Sequence, residues 1–403
     1  MEYIFCPMIE KHPASSSSLA LFNLGFRPFF LGASIFSVVS ILLWMCIYVF
    51  QLPLQFVEIN MTQWHAHEMI YGYSLAVISG FLLTAVKNWT GVQTLHGPWL
   101  LGLFILWVIA RILFLFGTSL IFVAALFDML FMLCLIFAIA SPIIKVRQWK
   151  QLAILSKIVL LTIGNGLFYL GAAGLLEQGI YWGIYGGLLM IIALILTLGR
   201  RVIPFFIQGG VGYPVQLVNY KWIDRSSLVL LLAFFIVFVF VGNKQISAII
   251  SLALFFITTI RLFGWHTPGI WKKPLLWSLF IAFIFIDLGF LLFAVSDLLK
   301  IPTMLAFHAF SYGGIGIVTL GMMSRVSLGH TGRDIQSPPK AITLSFILLV
   351  VGGVCRVFLP IFDMDHYVTW ILLSQIFWAV AYLIFVISYA HILIKPRIDG
   401  QFG

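Results

Sequence analysis

The residues best suited to chemistry in this sequence are histidines and charged side chains inside strongly apolar stretches. Trp64-His65-Ala66-His67-Glu68 opens one such stretch, and His308 lies near the start of another. Ionisable side chains are expensive to place in a membrane, and they usually face a cavity or a partner. Because imidazole binds iron, copper and zinc alike, these histidines indicate metal ligation without selecting the metal.

The spacing of His65 and His67 leaves several interpretations open. On an ideal helix their side chains are about 200° apart, so both cannot ligate one metal from mid-helix. Either both turn inward at an irregular first turn, or they serve two centres, or one is a ligand and the other its hydrogen-bonding partner. Two interfacial histidines without a metal are the structural alternative. His65 and Glu68, three residues apart, are expected to share a face.

His308 is followed by a run of small residues in the same apolar stretch. Tyr312 stands four residues later, and Gly313, Gly314, Gly316 and Gly321 follow it. Glycines in a membrane helix let another group approach the backbone closely. That group is either a neighbouring helix or the flat face of a porphyrin.

Arginines are the second class of candidate site residues. Arg111 and Arg356 fall inside apolar stretches, where each either pairs with Asp287 or Glu68 or holds an anionic group of a cofactor.

A further set of basic residues lies at the ends of apolar stretches. Arg200 and Arg201 either set the membrane topology or bind carboxylates of a cofactor, and Arg325 is grouped with them. His330, five residues after Arg325, is either a surface histidine or a ligand of a separate metal centre.

The composition determines which elements must position these residues. Apolar residues make up 62% of the 403 residues and charged residues only 9%, whereas a soluble domain has roughly 25% charged residues. The sequence therefore predicts an all-α, polytopic membrane protein. The net charge of +10 does not indicate nucleic acid, because the basic residues lie in short segments between apolar stretches.

Twelve stretches are long enough to span a bilayer as helices. They are 29–50, 64–86, 98–117, 119–140, 152–175, 181–198, 227–243, 246–263, 274–296, 302–324, 341–361 and 367–394. The prediction is one membrane domain, 29–394, between an N-terminal tail, 1–28, and a C-terminal tail, 395–403. The longest connection, 199–226, carries no recognisable domain.

Charge asymmetry predicts the orientation of this bundle. With the N-terminus in the cytoplasm, 19 of the 23 Lys and Arg residues fall in inner segments, while Lys244 and Lys300 alone fall in outer ones. Such a bias predicts cytoplasmic N- and C-termini in a plasma membrane. It places His65, His67 and His308 near the outer face and His330 at the inner face, so one mononuclear site cannot contain both His308 and His330.

The chain resembles the NnrS family of bacterial membrane proteins in several motifs. They are Phe26-Arg27-Pro28-Phe29-Phe30, Trp64 to Met69, Gly80 to Ala85, Asn88-Trp89-Thr90-Gly91, Gly199 to Phe206, His308-Ala309 and Gly321 to Gly332. The resemblance covers residues 22 to about 394; Lys87 departs from it, where a neutral residue is expected. It implies a twelve-helix inner-membrane protein that contains haem and copper and is tied to nitric oxide metabolism or nitrosative stress.

The resemblance favours His65, His67 and His308 as metal ligands without assigning each to a metal. The leading hypothesis is a haem- and copper-binding protein that binds or turns over nitric oxide, with an electron donor and catalytic residues that the sequence does not identify. Nitric oxide is small and apolar, so it can enter through membrane lipid. The alternatives are a secondary transporter with an Arg, Asp and His relay and no redox cofactor, and a sensor or scaffold that docks a partner through 199–226.

Overall fold

A computed structural model describes residues 19–53, 58–116 and 120–403, and these residues form twelve long apolar helices and no strand. In chain order the helices are α1 (Phe26–Tyr48), α2 (Met61–Thr90), α3 (Gly97–Leu115), α4 (Ile121–Lys145), α5 (Trp149–Ala172), α6 (Gly179–Gly210), α7 (Lys221–Val241), α8 (Lys244–Trp265), α9 (Pro274–Val295), α10 (Thr303–Gly329), α11 (Lys340–Phe362) and α12 (Tyr367–Ile394). The twelve predicted spans are confirmed. The predicted turn at 117–119 and most of the N-terminal tail lie outside the described residues.

One boundary differs from the prediction by more than a turn. Helix α6 continues past its apolar stretch to Gly210, with Pro204 inside it, so the predicted loop 199–226 is reduced to 211–220. A helix of 32 residues is about 48 Å long at 1.5 Å per residue, against a hydrocarbon core of about 30 Å. The prediction ended the span before Arg200 and Arg201, because these residues interrupt the hydrophobic pattern. The helix itself continues past them, since charged side chains on a helix are readily solvated outside the membrane.

The helices that carry the candidate histidines are central in the bundle. Within their apolar windows, 83% of α10 and 78% of α2 is buried, against 28% of α7. Helices α7 and α8 are peripheral, whereas α6 and α9 pack closer to the centre. The histidines of α2 and α10 are therefore placed among protein side chains instead of facing lipid.

Helices α2 and α10 have the same order of α-helical and π-helical segments, although no sequence repeat indicates this. Each begins with a short α-helical segment, Met61–His67 or Thr303–His308. A π-helical segment follows, Glu68–Ser74 or Ala309–Gly316, and an α-helix completes the span. π-Helical turns inside α-helices are rare and are frequent at functional sites. Here each one begins directly after a candidate histidine.

Both ends of the described chain meet at one end of the bundle. The Ala20 N–H donates to the Ile394 carbonyl at 2.8 Å, and the buried Arg27 guanidinium donates to the carbonyls of Ile392, Leu393 and Lys395. We call this end, which holds the start of α1 and the ends of α2, α10 and α12, the basic end. The opposite end is the cavity end. The even number of spans is thus confirmed, while the cytoplasmic location of the basic end stays a prediction.

Candidate functional site

A large cavity with a volume of about 530 Å³ lies at the cavity end. Pockets of 300–1,000 Å³ suit ligands of drug or cofactor size. Its walls come from α1, α2, α6, α10, α11 and α12. The polar and aromatic side chains that line it include Trp44, Tyr48, His65, Tyr73, Tyr181, Tyr185, His308, Tyr312, Arg356, Tyr367, Gln375 and Trp378. We call it the main cavity.

His308 lines the main cavity with one ring nitrogen protonated and the other unprotonated. Its Nδ1 lies 2.8 Å from the Met304 carbonyl, which only accepts hydrogen bonds, so Nδ1 carries the proton. Nε2 is therefore unprotonated, and it accepts a hydrogen bond from Arg356 Nη2 at 3.1 Å. A histidine that donates one ring N–H to a carbonyl and offers the other nitrogen is the usual arrangement of a metal ligand.

His65 lines the same cavity from α2. Its ring stacks on Trp44 with 4.5 Å between centroids and 5° between planes, which fixes the orientation of the imidazole. Its Nδ1 is buried and has no hydrogen-bond partner within the described ranges. Buried polar atoms are nearly always paired, so the Nδ1 of His65 is an exception in the wall of the main cavity.

Arg356 brings a positive charge to these two histidines. Its Nη1 lies 3.3 Å from the Tyr367 hydroxyl, and its guanidinium lies 5.6 Å from the centre of that ring. None of the acidic side chains in 19–53, 58–116 or 120–403 forms an ion pair with it. The predicted pairing of Arg356 with Asp287 or Glu68 is wrong, because Asp287 instead accepts from Thr258 and Thr259.

Aromatic side chains with fixed hydroxyls form the floor of the main cavity. Tyr73 is hydrogen-bonded to Tyr382 and, at 2.6 Å, to Thr319. Tyr312 donates to the Ser374 carbonyl at 2.8 Å. Trp378 packs against Tyr312 and Tyr382, with ring centroids 4.8 and 4.9 Å away. Because these hydroxyls already have partners, the floor is rigid and offers few free polar groups.

His67 points away from the main cavity into a second feature, the buried ion network, which consists of His67, Glu68, Arg111, Asp128, Asn165 and Tyr169. All of these but Arg111 and Tyr169 are fully buried, and those two are 3% and 6% exposed. Arg111 donates to Glu68 and lies 2.6 Å from Asp128. The predicted pairing of Arg111 with Glu68 is confirmed.

Both ring nitrogens of His67 are occupied within this network. Nδ1 lies 3.0 Å from Glu68 Oε1, and Nε2 lies 2.9 Å from Asn165 Oδ1. Asn165 donates its Nδ2 to Asp128 at 3.0 Å, which turns its carbonyl oxygen toward the histidine. Glu68 and Asn165 thus use both ring nitrogens, which leaves neither of them for a metal ligand.

The spacing of His65, His67 and Glu68 predicts only in part which environment each side chain faces. His65 and His67 serve separate environments, as the 200° separation indicated. The expectation that His65 and Glu68 meet on one face is wrong, because Glu68 contacts His67 and Arg111 while His65 lines the main cavity. The π-helical segment begins at Glu68 and changes the angular spacing of the side chains that follow.

His330 lies at the basic end, far from the main cavity. It is 22 positions after His308, which corresponds to roughly 30 Å along the helix. Its Nε2 lies 3.5 Å from Asn88 Nδ2, and its carbonyl accepts from Arg397 at 3.1 Å. Burial lowers the pKa of His330 to about 4, and the neighbouring cations add to the shift. The predicted separation of His330 from His308 agrees with this placement.

The remaining predicted cofactor residues have protein partners away from the main cavity. Arg200 lies 3.3 Å from Asp224, and Arg201 donates to Gln151 at 3.2 Å. The Arg325 guanidinium lies 3.9 Å from the centre of the Phe206 ring. Of the five arginines, only Arg356 lines the main cavity.

Sequence reasoning missed Asp128, Asn165 and Tyr169. A signal for Asp128 was present, since it is a single acidic residue inside the 25-residue, mostly apolar helix α4 and such residues usually have a partner. Asn165 and Tyr169 carry no charge and gave no comparable signal. Within the described ranges no group of three or more His, Cys, Asp or Glu side chains gathers as a metal cluster. A metal in the main cavity would therefore depend on imidazoles and on ligands from outside the chain.

Comparison with known proteins identifies the family of this chain. The chain matches the family model of the NnrS protein over residues 20–397, nearly its whole length, and it belongs to the NnrS family. No curated protein matched it.

Proposed function

We propose that this multi-pass NnrS-family protein holds haem, with copper as a second metal, in the main cavity and binds or turns over nitric oxide there. The observation that carries the proposal is the pair of imidazoles, His65 and His308, on the two most buried helices and in the lining of one cavity of about 530 Å³. When bound, the haem iron would supply the affinity for a diatomic gas, and pocket polarity would decide between binding and activation.

The residues present fit such a group in three respects. His308 carries its proton on Nδ1 and leaves Nε2 unprotonated, and the His65 ring lines the cavity in an orientation fixed by Trp44. Arg356 supplies a cation that has no acidic partner among the described residues, and arginine binds carboxylates such as those of a haem in a bidentate fork. Tyr73, Tyr312 and Trp378 supply flat apolar walls that exclude water.

The proposal narrows the predicted ligand set. His67 lies in the buried ion network with both nitrogens engaged, so we assign it a supporting role on α2 instead of ligation. His330, Arg200, Arg201 and Arg325 are assigned no contact with this cofactor, and a metal at His330 would form a separate centre. The proposed location is the bacterial inner membrane, with the cavity end outward.

The alternative of a cofactor-free transporter has less support. Its relay residues are dispersed: Arg111 is engaged by Glu68 and Asp128, and Asp287 by two threonines. Among the described residues Arg111 and Asp287 therefore belong to separate groups of contacts.

Optical spectroscopy with metal analysis on purified protein tests the proposal. A Soret band that shifts on addition of nitric oxide is expected, and it should be lost in His308→Ala and weakened or lost in His65→Ala. His330→Ala and the loop variant His366→Ala serve as controls and should retain the band at equal protein level. Colourless, metal-free protein from haem-replete cells would refute the proposal, and solute uptake by that protein would favour the transporter.

A further inference from the structure

A second, smaller cavity lies deeper in the bundle than the main cavity. Its volume is about 80 Å³, and its walls come from α1, α2, α6, α9 and α10. We call it the side cavity. A water-sized molecule needs roughly 10–15 Å³ of such volume, so the side cavity has room for several atoms but not for a cofactor.

The lining of the side cavity is almost wholly apolar. The two polar side chains, Ser74 and Thr319, already use their hydroxyl hydrogens on carbonyls of their own helices, Met69 at 2.7 Å and Ile315 at 2.6 Å. A buried water needs two to four polar partners, and apolar cavities remain dry and take up apolar guests such as xenon. The side cavity therefore suits small apolar molecules better than water or ions.

One side of this cavity is open on the surface of the bundle, in the half of the membrane span nearer the basic end. Ile195, Leu198 and Val202 follow one another on a single face of α6, and each is half-buried. Phe81 of α2 and Met322 of α10, also half-buried, complete this side. Ile195 and Leu198 lie before Arg200, within the predicted apolar span 181–198, where the surface of a membrane bundle faces hydrocarbon.

Only a thin wall separates the side cavity from the main cavity. Ser74 lines both of them. Next to it, Tyr73 of the main cavity is hydrogen-bonded at 2.6 Å to Thr319 of the side cavity. Ser74 and Tyr73 are the last residues of the π-helical segment of α2, and serine is the smallest side chain in this wall.

We infer that the side cavity binds a small apolar gas molecule drawn from the bilayer and passes it across the wall at Ser74 to the main cavity. Binding of the gas rests on the shape and lining of the cavity alone. The identity of the gas as nitric oxide, and its passage to the main cavity, rest on the proposed function.

The first experiment uses xenon as the gas, because xenon needs no cofactor. Crystals of the purified full chain under xenon pressure should show xenon between Ile195 and Val318. Ile195→Trp and, as a second filling variant, Leu198→Trp should lose this xenon, whereas Ile250→Trp on peripheral α8 should retain it. Absence of xenon from the wild-type side cavity, equal occupancy in both filling variants, or a lipid chain or quinone tail in its place would each overturn the inference.

The second experiment tests passage and follows the rate at which nitric oxide combines with the haem after flash photolysis. Ile195→Trp should slow this rate several-fold relative to Ile250→Trp, with the Soret band at equilibrium unchanged. An unchanged rate in a variant that has lost xenon would overturn passage while leaving the binding site in place. Purified protein without haem would refute the proposed function. The xenon experiment alone would then decide whether the side cavity binds a gas.

Discussion

Replacing Arg111 by Met should destabilise the protein strongly, because Arg111 is the only arginine of the buried ion network. It donates to Glu68 and lies 2.6 Å from Asp128, and both carboxylates are fully buried. Removing one partner of a buried pair costs about 3–5 kcal/mol, since the remaining charge stays buried without compensation. We expect the free energy of unfolding to fall by an amount in this range. The loss is not larger because Glu68 keeps its contact with His67 at 3.0 Å and Asp128 keeps its contact with Tyr169 at 3.0 Å.

A double-mutant cycle separates the charge from the packing of the side chain. Asp128→Asn removes one of the two negative charges that Arg111 balances, so Arg111→Met combined with Asp128→Asn should be less destabilised than the sum of the single variants. Residues that share such a network typically show couplings of about 0.5–3 kcal/mol. Arg225→Met, at an exposed position of α7, is the control and should stay within about 0.5 kcal/mol of wild type.

The assay is unfolding in mixed micelles, followed by circular dichroism, with the free energy of unfolding extrapolated to zero denaturant. A loss below about 1 kcal/mol for Arg111→Met would be the cost of an ordinary point substitution. That result, or strict additivity in the cycle, would refute the reasoning. It would mean that water reaches the two carboxylates and solvates them.

Two further predictions concern the floor of the main cavity and the basic end. A Cβ at Gly352 would overlap the Tyr312 hydroxyl, so Gly352→Ala should break the bond from Tyr312 to the Ser374 carbonyl, cost about 1 kcal/mol and shift the Soret band. Gly102→Ala is the control, because a Cβ there meets no atom within 4 Å. It should not lower the stability and should leave the Soret band unchanged. Identical behaviour of the two variants would contradict the role of Tyr312 in the floor of the main cavity. His330 has a pKa of about 4 in the folded protein against an ordinary value of 6.5, so the unfolded chain takes up its proton first as the pH falls. The contribution of His330 to the free energy of unfolding should be fully present above pH 6.5. It should be lost between pH 6.5 and 4, and the loss should be about 3 kcal/mol at most. His330→Gln should flatten this decline in unfolding experiments, and an unchanged pH profile would show that His330 is solvated.

The fold could be predicted because the bilayer constrains the sequence at every span. A helix satisfies all of its backbone groups internally, so runs of about 20 apolar residues mark the spans directly. The constraint ends where the hydrocarbon ends. Hydropathy therefore ended the sixth span at 198, although α6 continues to Gly210.

The candidate site could be predicted only in part. A polar residue inside an apolar span is easily recognised in the sequence, but the residues that it contacts are not. His65 and His308 were recognised by type and depth, and both line the main cavity. His67 has the same type and depth, yet it lies in the buried ion network. The difference arises from Asp128 and Asn165 on α4 and α5, and no pattern along the chain links those helices to α2.

The geometry of α2 connects the buried ion network to the main cavity. His67 and Glu68 are fixed by contacts with residues of α3, α4 and α5, and these contacts fix the rotation of the helix start that also carries His65. Helix α10 is held instead by hydroxyl hydrogen bonds, between Thr319 and Tyr73 and from Tyr312 to the Ser374 carbonyl. On this helix His308 is oriented by the carbonyl of Met304 and by the side chain of Arg356. The main cavity therefore has one wall set by buried charges and one set mainly by hydroxyl and carbonyl hydrogen bonds. A cofactor held between the two histidines would displace Arg356 from His308 Nε2 and leave its guanidinium available for an anionic group.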